Sequence, residues 1–519
     1  MDNVFNKNSR KLNTVKSSSM SLISNVIKML LSFGYRSLFI HYLSADYLGI
    51  NGLFTNILQM LSLADLGIST AIIYRFYDPI SRDDIKMVGK LMNYFKKVYR
   101  IITLVILSIG LIIMPFIKFL INSNDKLPSD VNIYVVYLLF LLNTVSTYLF
   151  AYKLTIFTAD QKNYIYITVE LIGNIIKYSL QIIVLILSRD YTMTLLWGIV
   201  GTVSINFLGS VYAVKKYKPI FEVIDNLEKE VRGEIIKDTR ACMYHKIGTT
   251  VLNGTDNAVL TKMVNLKATG IYSNYSIILT SLQMILNQLQ NSFLASVGNA
   301  KVTTDKEEYY STYLNLFFAG LWLDCIITTC LYAVIDSFIM VWIGKNFVLD
   351  KFTSCILCVQ FFLTTSRSVN GTFIYASGMF VKDKIRPLIE ACINLIISIV
   401  LAKYIGIVGV FLGTIVSCLL TTFWREPYLL YRYVFSKKLS DYWKIYLSFT
   451  VLTIFSCILV TVINTIISNS INLWIRCILL GIIAFFLSNL ILIIFKYRKK
   501  EFSYFISLVR KYLNKFRHS

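Results

Sequence analysis

Residues 19–42 read SMSLISNVIKMLLSFGYRSLFIHY. The run is long enough to cross a bilayer, which takes about 20 mostly apolar residues, yet it carries Lys28 and Arg36. Ser21, Asn25, Lys28, Ser32 and Arg36 follow one another at steps of three or four residues. On a helix they form one polar stripe, with Tyr35 alongside. A short basic stretch precedes the run, but its length and its internal cations separate it from a cleavable signal peptide. It is expected to stay in the membrane, with its stripe turned away from lipid.

The rest of the chain repeats the pattern. Of 519 residues, 56% are hydrophobic and 16% charged, against roughly 25% charged in soluble proteins. Mean hydropathy is +0.61, which excludes a soluble enzyme. Fourteen apolar spans can be placed between residues 19 and 497, so the fold class is an all-α integral membrane protein. The net charge of +23 comes from 52 basic and 29 acidic residues. Alternate loops hold 39 of the Lys and Arg residues on one side and 8 on the other. Such a bias marks the cytoplasmic face. Both termini are therefore expected in the cytoplasm, and the basicity reports topology, not nucleic-acid binding. Of nine cysteines, eight fall in spans, and Cys355-x-x-Cys358 has no companion His or second pair. No metal site or disulfide framework is expected.

Two segments interrupt the spans. In residues 215–243, Phe221, Ile224, Leu227, Val231 and Ile235 recur at helical spacing among charged residues, which predicts an amphipathic helix on the inner membrane surface. The tail from Lys496 repeats the theme with Phe502, Phe505, Val509, Leu513 and Phe516. Both suit anionic lipid headgroups. An internal repeat is also visible. The turn Ala45-Asp46-Tyr47-Leu48-Gly49-Ile50 aligns with Leu266-Lys267-Ala268-Thr269-Gly270-Ile271 when Gly49 is set on Gly270. Weak internal symmetry of this kind is characteristic of transporters.

Polar stripes recur on the matched members of this repeat. The second span carries Asn51, Thr55, Gln59, Ser62, Asp65 and Ser69. The seventh carries Thr249, Asn253, Asp256 and Asn257, and the eighth Ser273, Ser276, Thr280, Gln283, Asn287 and Gln290. Stripes can serve interhelical hydrogen bonds or line a shared aqueous cavity, the reading favoured here. Lys28 and Asp65 lie roughly 13 Å and roughly 15 Å from the cytoplasmic side, so they can meet, as a structural pair or as part of a site. Arg36 lies nearer the outer face, and Arg367 sits deep in Thr364-Thr365-Ser366-Arg367-Ser368. Unpaired guanidinium groups in a wet site suit an anionic ligand, because their fork matches phosphate oxygens. A second set, Asp256, Glu390, Asn394 and Thr421, with Ser417, offers oxygen ligands for a small hard cation or a proton. Glu170 and Lys177 of the fifth span share a face and are expected to pair.

The stretch from Tyr47-Leu48-Gly49-Ile50-Asn51-Gly52-Leu53-Phe54 through Leu63-Ala64-Asp65-Leu66-Gly67-Ile68 to Tyr74-Arg75-Phe76-Tyr77 resembles bacterial polysaccharide-repeat flippases. These belong to the multidrug/oligosaccharidyl-lipid/polysaccharide exporter (MOP) superfamily. The resemblance extends along the chain in length, span number and central connector. It implies two pseudo-symmetric six-helix lobes around a central cavity plus two C-terminal helices. The corresponding segments are 1–214, a cytoplasmic connector at 215–244, 245–435, 436–497 and a basic tail at 498–519. It implies alternating-access movement of an undecaprenyl-pyrophosphate-linked oligosaccharide across the bacterial plasma membrane for capsule, teichoic or O-antigen type polymers. Coupling to Na+ or H+, a monomeric state and work beside a polymerase and glycosyltransferases follow from the same likeness, with no other cofactor. By helix position it assigns Lys28, Arg36 and Asp65 to the pyrophosphate, and Asp256, Asn394 and Thr421 to an ion site. Gln59, Gln283 and Arg367 complete the expected substrate contacts, and Glu390 the ion set.

Two other functions compete. A drug/cation antiporter of the same fold would want an acidic cavity, whereas the first span supplies Lys28 and Arg36. A membrane-embedded polymerase or glycosyltransferase would need catalytic groups in a sizeable loop, and the outer connections are short. The charge bias yields a direct test of topology. In intact cells, Glu230→Cys should react with a membrane-impermeant thiol reagent only after lysis; labelling before lysis would invert the map.

Overall fold

The computed structural model describes residues 10–61, 68–121, 128–379, 382–467 and 471–504, and every regular element among them is helical. Packing divides the chain into compact units at Met1–Ser273 and Asn274–Ser519. The first holds α1 (Arg10–Tyr42), α2 (Ala45–Leu61), α3 (Ile68–Ser81), α4 (Ile85–Ile113), the single turn α5 (Ile117–Leu120), α6 (Ile133–Ala159), α7 (Asn163–Ser188), α8 (Tyr191–Lys216), the single turn α9 (Lys218–Phe221) and α10 (Lys229–Met263). Helix α11 (Leu266–Thr303) starts in the first unit and continues into the second. The second adds α12 (Lys306–Ile343), α13 (Lys351–Thr365), α14 (Ser368–Ala376), α15 (Arg386–Ile405), α16 (Ile407–Leu420), α17 (Thr422–Leu429), a π-helical turn at Leu430–Phe435, α18 (Leu439–Ile466) and α19 (Leu473–Lys496).

Short acidic and amide side chains start many of these helices. Asp84, Asp190, Asp305 and Asp350 each accept a backbone N–H of the first turn, and Asn132 and Asn472 do the same for α6 and α19. Each such cap satisfies a donor that the helix itself leaves open. Inside the spans, hydroxyls bond back one turn: Thr103 to the Tyr99 carbonyl at 2.7 Å, Thr329 to Cys325 at 2.7 Å, Thr453 to Phe449 at 2.9 Å. A membrane span can therefore carry Ser and Thr without exposing an unmet polar group to lipid.

Among the described residues, nine helices are long and apolar enough to cross a membrane: α4 with α5, α6, α7, α8, α12, α15, α16 through the π turn, α18 and α19. Helices α1, α2, α10 and α11 are not in this set. These are the helices to which the sequence assigns polar stripes; the described part of α2 is 17 residues long. The chain is a multi-pass membrane protein.

Residues 215–243 do not form the single amphipathic helix expected. Helix α8 ends at Lys216, residues 223–228 form an irregular strap, and α10 begins only at Lys229 and runs on to Met263. The strap is held by α4: Asn93 donates to the Val223 carbonyl at 2.5 Å, Lys97 to Asn226 at 2.6 Å, and Lys90 pairs with Glu228 at 3.3 Å. Ile220, Leu227 and Ile235 are buried while Ile224 is 87% exposed. The apolar periodicity is shared among two helices and a strap, which bury Ile220, Leu227 and Ile235 in turn. The tail beyond residue 504 lies outside the described residues.

The aligned glycines meet. A side chain at Gly49 would strike the Leu266 carbonyl, and one at Gly270 would strike the Ala45 carbonyl. Both pairs, Gly49 with Gly270 and Ala45 with Leu266, are related by a shift of 221 residues. The same shift carries Arg36 to Asn257 and Gly52 to Ser273. Arg36 donates to the Ser273 hydroxyl, while the Asn257 amide nitrogen lies 3.5 Å from where a Gly52 Cβ would stand. The start of α2 and the start of α11 thus cross in a local two-fold arrangement with backbone against backbone, which only a missing Cβ permits. Gly49→Ala or Gly270→Ala should cost about 1–3 kcal/mol, the range for overpacking. Gly34→Ala, which meets nothing within 4 Å, should be neutral. Thermal unfolding in detergent decides; equal stability of the three variants would remove the crossing as a constraint.

Candidate functional site

The polar stripe of α1 does not face lipid. With α6, α7, α8 and Tyr99 of α4 it encloses a cavity of about 740 Å³, within the range of roughly 300–1,000 Å³ usual for ligand pockets. Ser21, Ser24, Asn25 and Lys28 come from α1, and Thr147, Tyr148, Thr155 and Thr158 from α6. Tyr166, Glu170, Asn174 and Lys177 of α7 repeat at steps of three or four and form the facing stripe; Thr202 and Asn206 of α8 close the wall.

Lys28 Nζ donates to Glu170 Oε1 at 3.1 Å, with both side chains partly exposed to the cavity. The expected Glu170–Lys177 pair does not form. Seven residues separate two groups by roughly 10 Å along a helix, and α1 brings Lys28 closer. Lys177 has no carboxylate oxygen within 4 Å among the described residues; its ammonium lies 5.0 Å from the Tyr178 ring centre and its stem packs on Gly201. Asn174 and Asn206 donate to the carbonyls of Glu170 and Thr202 at 2.8 and 3.0 Å, which leaves each side-chain oxygen as an acceptor. With Lys28 and Glu170 offsetting each other, Lys177 gives the cavity a surplus positive charge. Hydroxyls, amides and tyrosines beside that charge make it suited to a hydroxylated, anionic ligand.

Arg36 continues the α1 stripe two turns beyond Lys28 and donates to Ser273. Tyr35, its neighbour, packs 5.7 Å from the Tyr178 ring and 5.8 Å from Phe39. Gln59 is exposed on α2, Asp256 is half-buried on α10, and Gln283 is half-buried on α11 in the second unit. Asp65 lies outside the described residues; the carboxylate on Lys28 is that of Glu170.

In the second unit, two expectations are corrected. Arg367 does not present an unpaired guanidinium: it donates to Glu426 Oε1 at 3.0 Å. Glu390 is not an open oxygen ligand: Arg386 donates to its Oε2 at 2.7 Å, and Thr422 hydrogen-bonds the same oxygen. Arg386 also reaches Asp383 at 2.6 Å and Glu426 at 3.6 Å, and Arg425 reaches Asp383 at 3.0 Å. The result is a largely buried network of arginines and carboxylates joining α14, α15 and α17. Within it, Arg386 and Glu390 stand one turn apart, a spacing that favours pairing on a helix and is the signal by which that pair could have been found. Asn394, fully buried, donates to Thr414 of α16 at 2.9 Å, and Thr421 donates to the Ser417 carbonyl at 2.7 Å. The close crossing of α15 and α16 that makes this possible needs Gly413, where a side chain would strike Ser398.

The sequence matches the polysaccharide biosynthesis protein family over residues 14–292. A search of curated protein sequences finds no significant match. Among solved structures, the lipid II flippase MurJ in an inward closed conformation is similar, with a TM-score of 0.64 at 15% identity over 93% of this chain and 100% of that one. A multidrug resistance MATE family transporter of the MOP superfamily in its inward-facing conformation gives 0.56 at 12% identity, over 78% of this chain and 95% of its own. A MOP superfamily transporter from Pyrococcus furiosus, described as having a binding pocket of reverse polarity, gives 0.55 at 12% identity, over 79% and 93%. At these identities the likeness is one of fold. With its polar cavity inside a shell of apolar helices, the chain belongs to the polysaccharide biosynthesis protein family and has the transporter fold of the MOP superfamily.

Proposed function

We propose that this protein is a flippase that moves an undecaprenyl-pyrophosphate-linked oligosaccharide from the inner to the outer leaflet of a bacterial plasma membrane, with both termini cytoplasmic. One observation carries the reading: a cavity of about 740 Å³ lined by amides, hydroxyls, tyrosines and the cations Lys28 and Lys177, in a family of polysaccharide biosynthesis proteins. The amides and tyrosines suit sugar hydroxyls and ring faces. The α1 cations, Lys28 and Arg36, suit the pyrophosphate. Two six-helix lobes working by alternating access, an ion gradient as the driving force and a neighbouring polymerase and glycosyltransferases belong to the same proposal. A cation antiporter is disfavoured by the surplus positive charge of the cavity.

Arg36→Ala should lose export at near-normal protein level. A charge-assisted hydrogen bond of about 1.5–3 kcal/mol corresponds to a loss of roughly 10- to 150-fold. Arg36→Lys should keep part of the activity, because charge remains while the guanidinium fork does not. Lys28 needs a different experiment, since Glu170 already holds it. If Lys28 is only structural, Lys28→Glu combined with Glu170→Lys should restore what either single change removes. If it touches phosphate, the swap should restore protein level but not transport. Wild-type flipping of fluorescent lipid-linked oligosaccharide by Arg36→Ala in proteoliposomes would end the anion-site reading.

A further inference from the structure

Asp324 lies in the middle of the 38-residue helix α12, about 27–29 Å from either end at ~1.5 Å per residue. It is 1% exposed, and no hydrogen-bond donor among the described residues reaches its Oδ1. The Thr365 hydroxyl of α13, on the side of the carboxyl, already donates to the Phe361 carbonyl at 2.9 Å, and no basic group pairs with Asp324 among the described residues. One turn along, the Thr328 hydroxyl is likewise buried with no partner, so two oxygens four residues apart face the same interior strip.

The surrounding groups are neutral or already engaged. From α13 come Thr365 and Ser366, the latter sharing a hydrogen bond with Tyr446 of α18 at 3.2 Å. The Thr453 hydroxyl of α18, which donates to the Phe449 carbonyl, lies 2.7 Å from Cys325 Sγ. Arg367, at the start of α14, is held by Glu426. Lys496 at the end of α19 donates to Ser448 at 2.5 Å and lies 4.6 Å from the Phe449 ring centre. An ionised carboxylate in this place would have neither counter-ion nor donors enough; a neutral carboxylic acid needs neither. An ionisable residue retained at such a depth is a functional group by default.

We propose that Asp324 is a proton-binding site of the second unit, neutral in this conformation, that gives its proton to water when the unit rearranges and so moves one proton per transport cycle. In that step the carboxyl O–H bond breaks, water takes the proton as hydronium, and the carboxylate left behind is stabilised by Thr328, Thr365 and entering water. Reprotonation from water on the opposite side completes the cycle. The transport part rests on the flippase reading; the binding part does not.

Infrared spectroscopy of the purified full-length protein tests the binding. At neutral pH the wild type should show the deuterium-sensitive carbonyl stretch of a protonated carboxylic acid. That band should be lost in Asp324→Asn, and displaced but kept in Asp324→Glu, which also guards against a folding defect in the amide variant. A spectrum unchanged by Asp324→Asn, or one with no such band in the wild type, overturns the site. In proteoliposomes, a proton gradient should accelerate flipping of fluorescent lipid-linked oligosaccharide by the wild type, while Asp324→Asn should flip at the gradient-free rate. Gradient sensitivity retained by the amide variant rejects the coupling. If the wild type flips no such lipid while the infrared band behaves as described, the flippase reading fails and the proton site stands.

Discussion

A charge placed in a bilayer interior must be matched by an opposite charge, reached by water, or removed by a proton, and the layout of this protein follows from how each ionisable side chain meets that demand. Lys28 is matched by Glu170 at 3.1 Å, and this bond helps tie α1 to α7 at the wall of the cavity. Lys177 is met by the face of Tyr178 and by a cavity wide enough for water. Arg367, Arg386 and Arg425 are matched by Glu426, Glu390 and Asp383. Asp324 has none of these solutions, and for that reason it is the group to which a proton is assigned.

Polar neighbours can satisfy one another only where backbones come close. Gly49 and Gly270 allow α2 and α11 to touch carbonyl to Cα, and that contact delivers Ser273 to Arg36 and Asn257 to Gly52. Gly413 does the same for α15 and α16, and the reward is the Asn394–Thr414 bond. In lipid, where apolar association has no aqueous driving force, such close packing with its hydrogen bonds is what holds helices together. The polar stripes and the small residues are two halves of one arrangement.

Much of this was readable from residue spacing. The α1 stripe placed Lys28 on an interior face, and the Gly49–Gly270 alignment found two backbones that touch. Spacing failed where a choice between helices mattered. Glu170 has Lys177 on its own face and Lys28 on another helix, and only three dimensions show that the second is nearer. Arg367 and Glu426 are 59 residues apart, so no local pattern connects them. The strap at 223–228 mimics helical periodicity because its backbone needs are met by α4 side chains such as Asn93, which no pattern in residues 215–243 records. Asp324 passed unremarked in the sequence, because nothing in its spacing shows whether a neighbouring helix supplies a partner; its isolation is apparent only in three dimensions.

The energetics of these pairings locate anion recognition. Taking Arg386 or Arg367 from its carboxylates would leave a buried charge uncompensated, at a cost of about 3–5 kcal/mol. A charge-assisted hydrogen bond to a ligand returns only about 1.5–3 kcal/mol, so the network of the second unit is closed to phosphate. Lys177 gives up far less: a cation–π contact is worth about 0.5–2 kcal/mol, and its ring lies within the same bundle. Lys28 is intermediate, since releasing it would free Glu170 into a hydrated cavity and not into lipid. On the proposed reading, then, the negatively charged part of the cargo is held by the first unit alone, and the arginines of the second serve to keep its helices together.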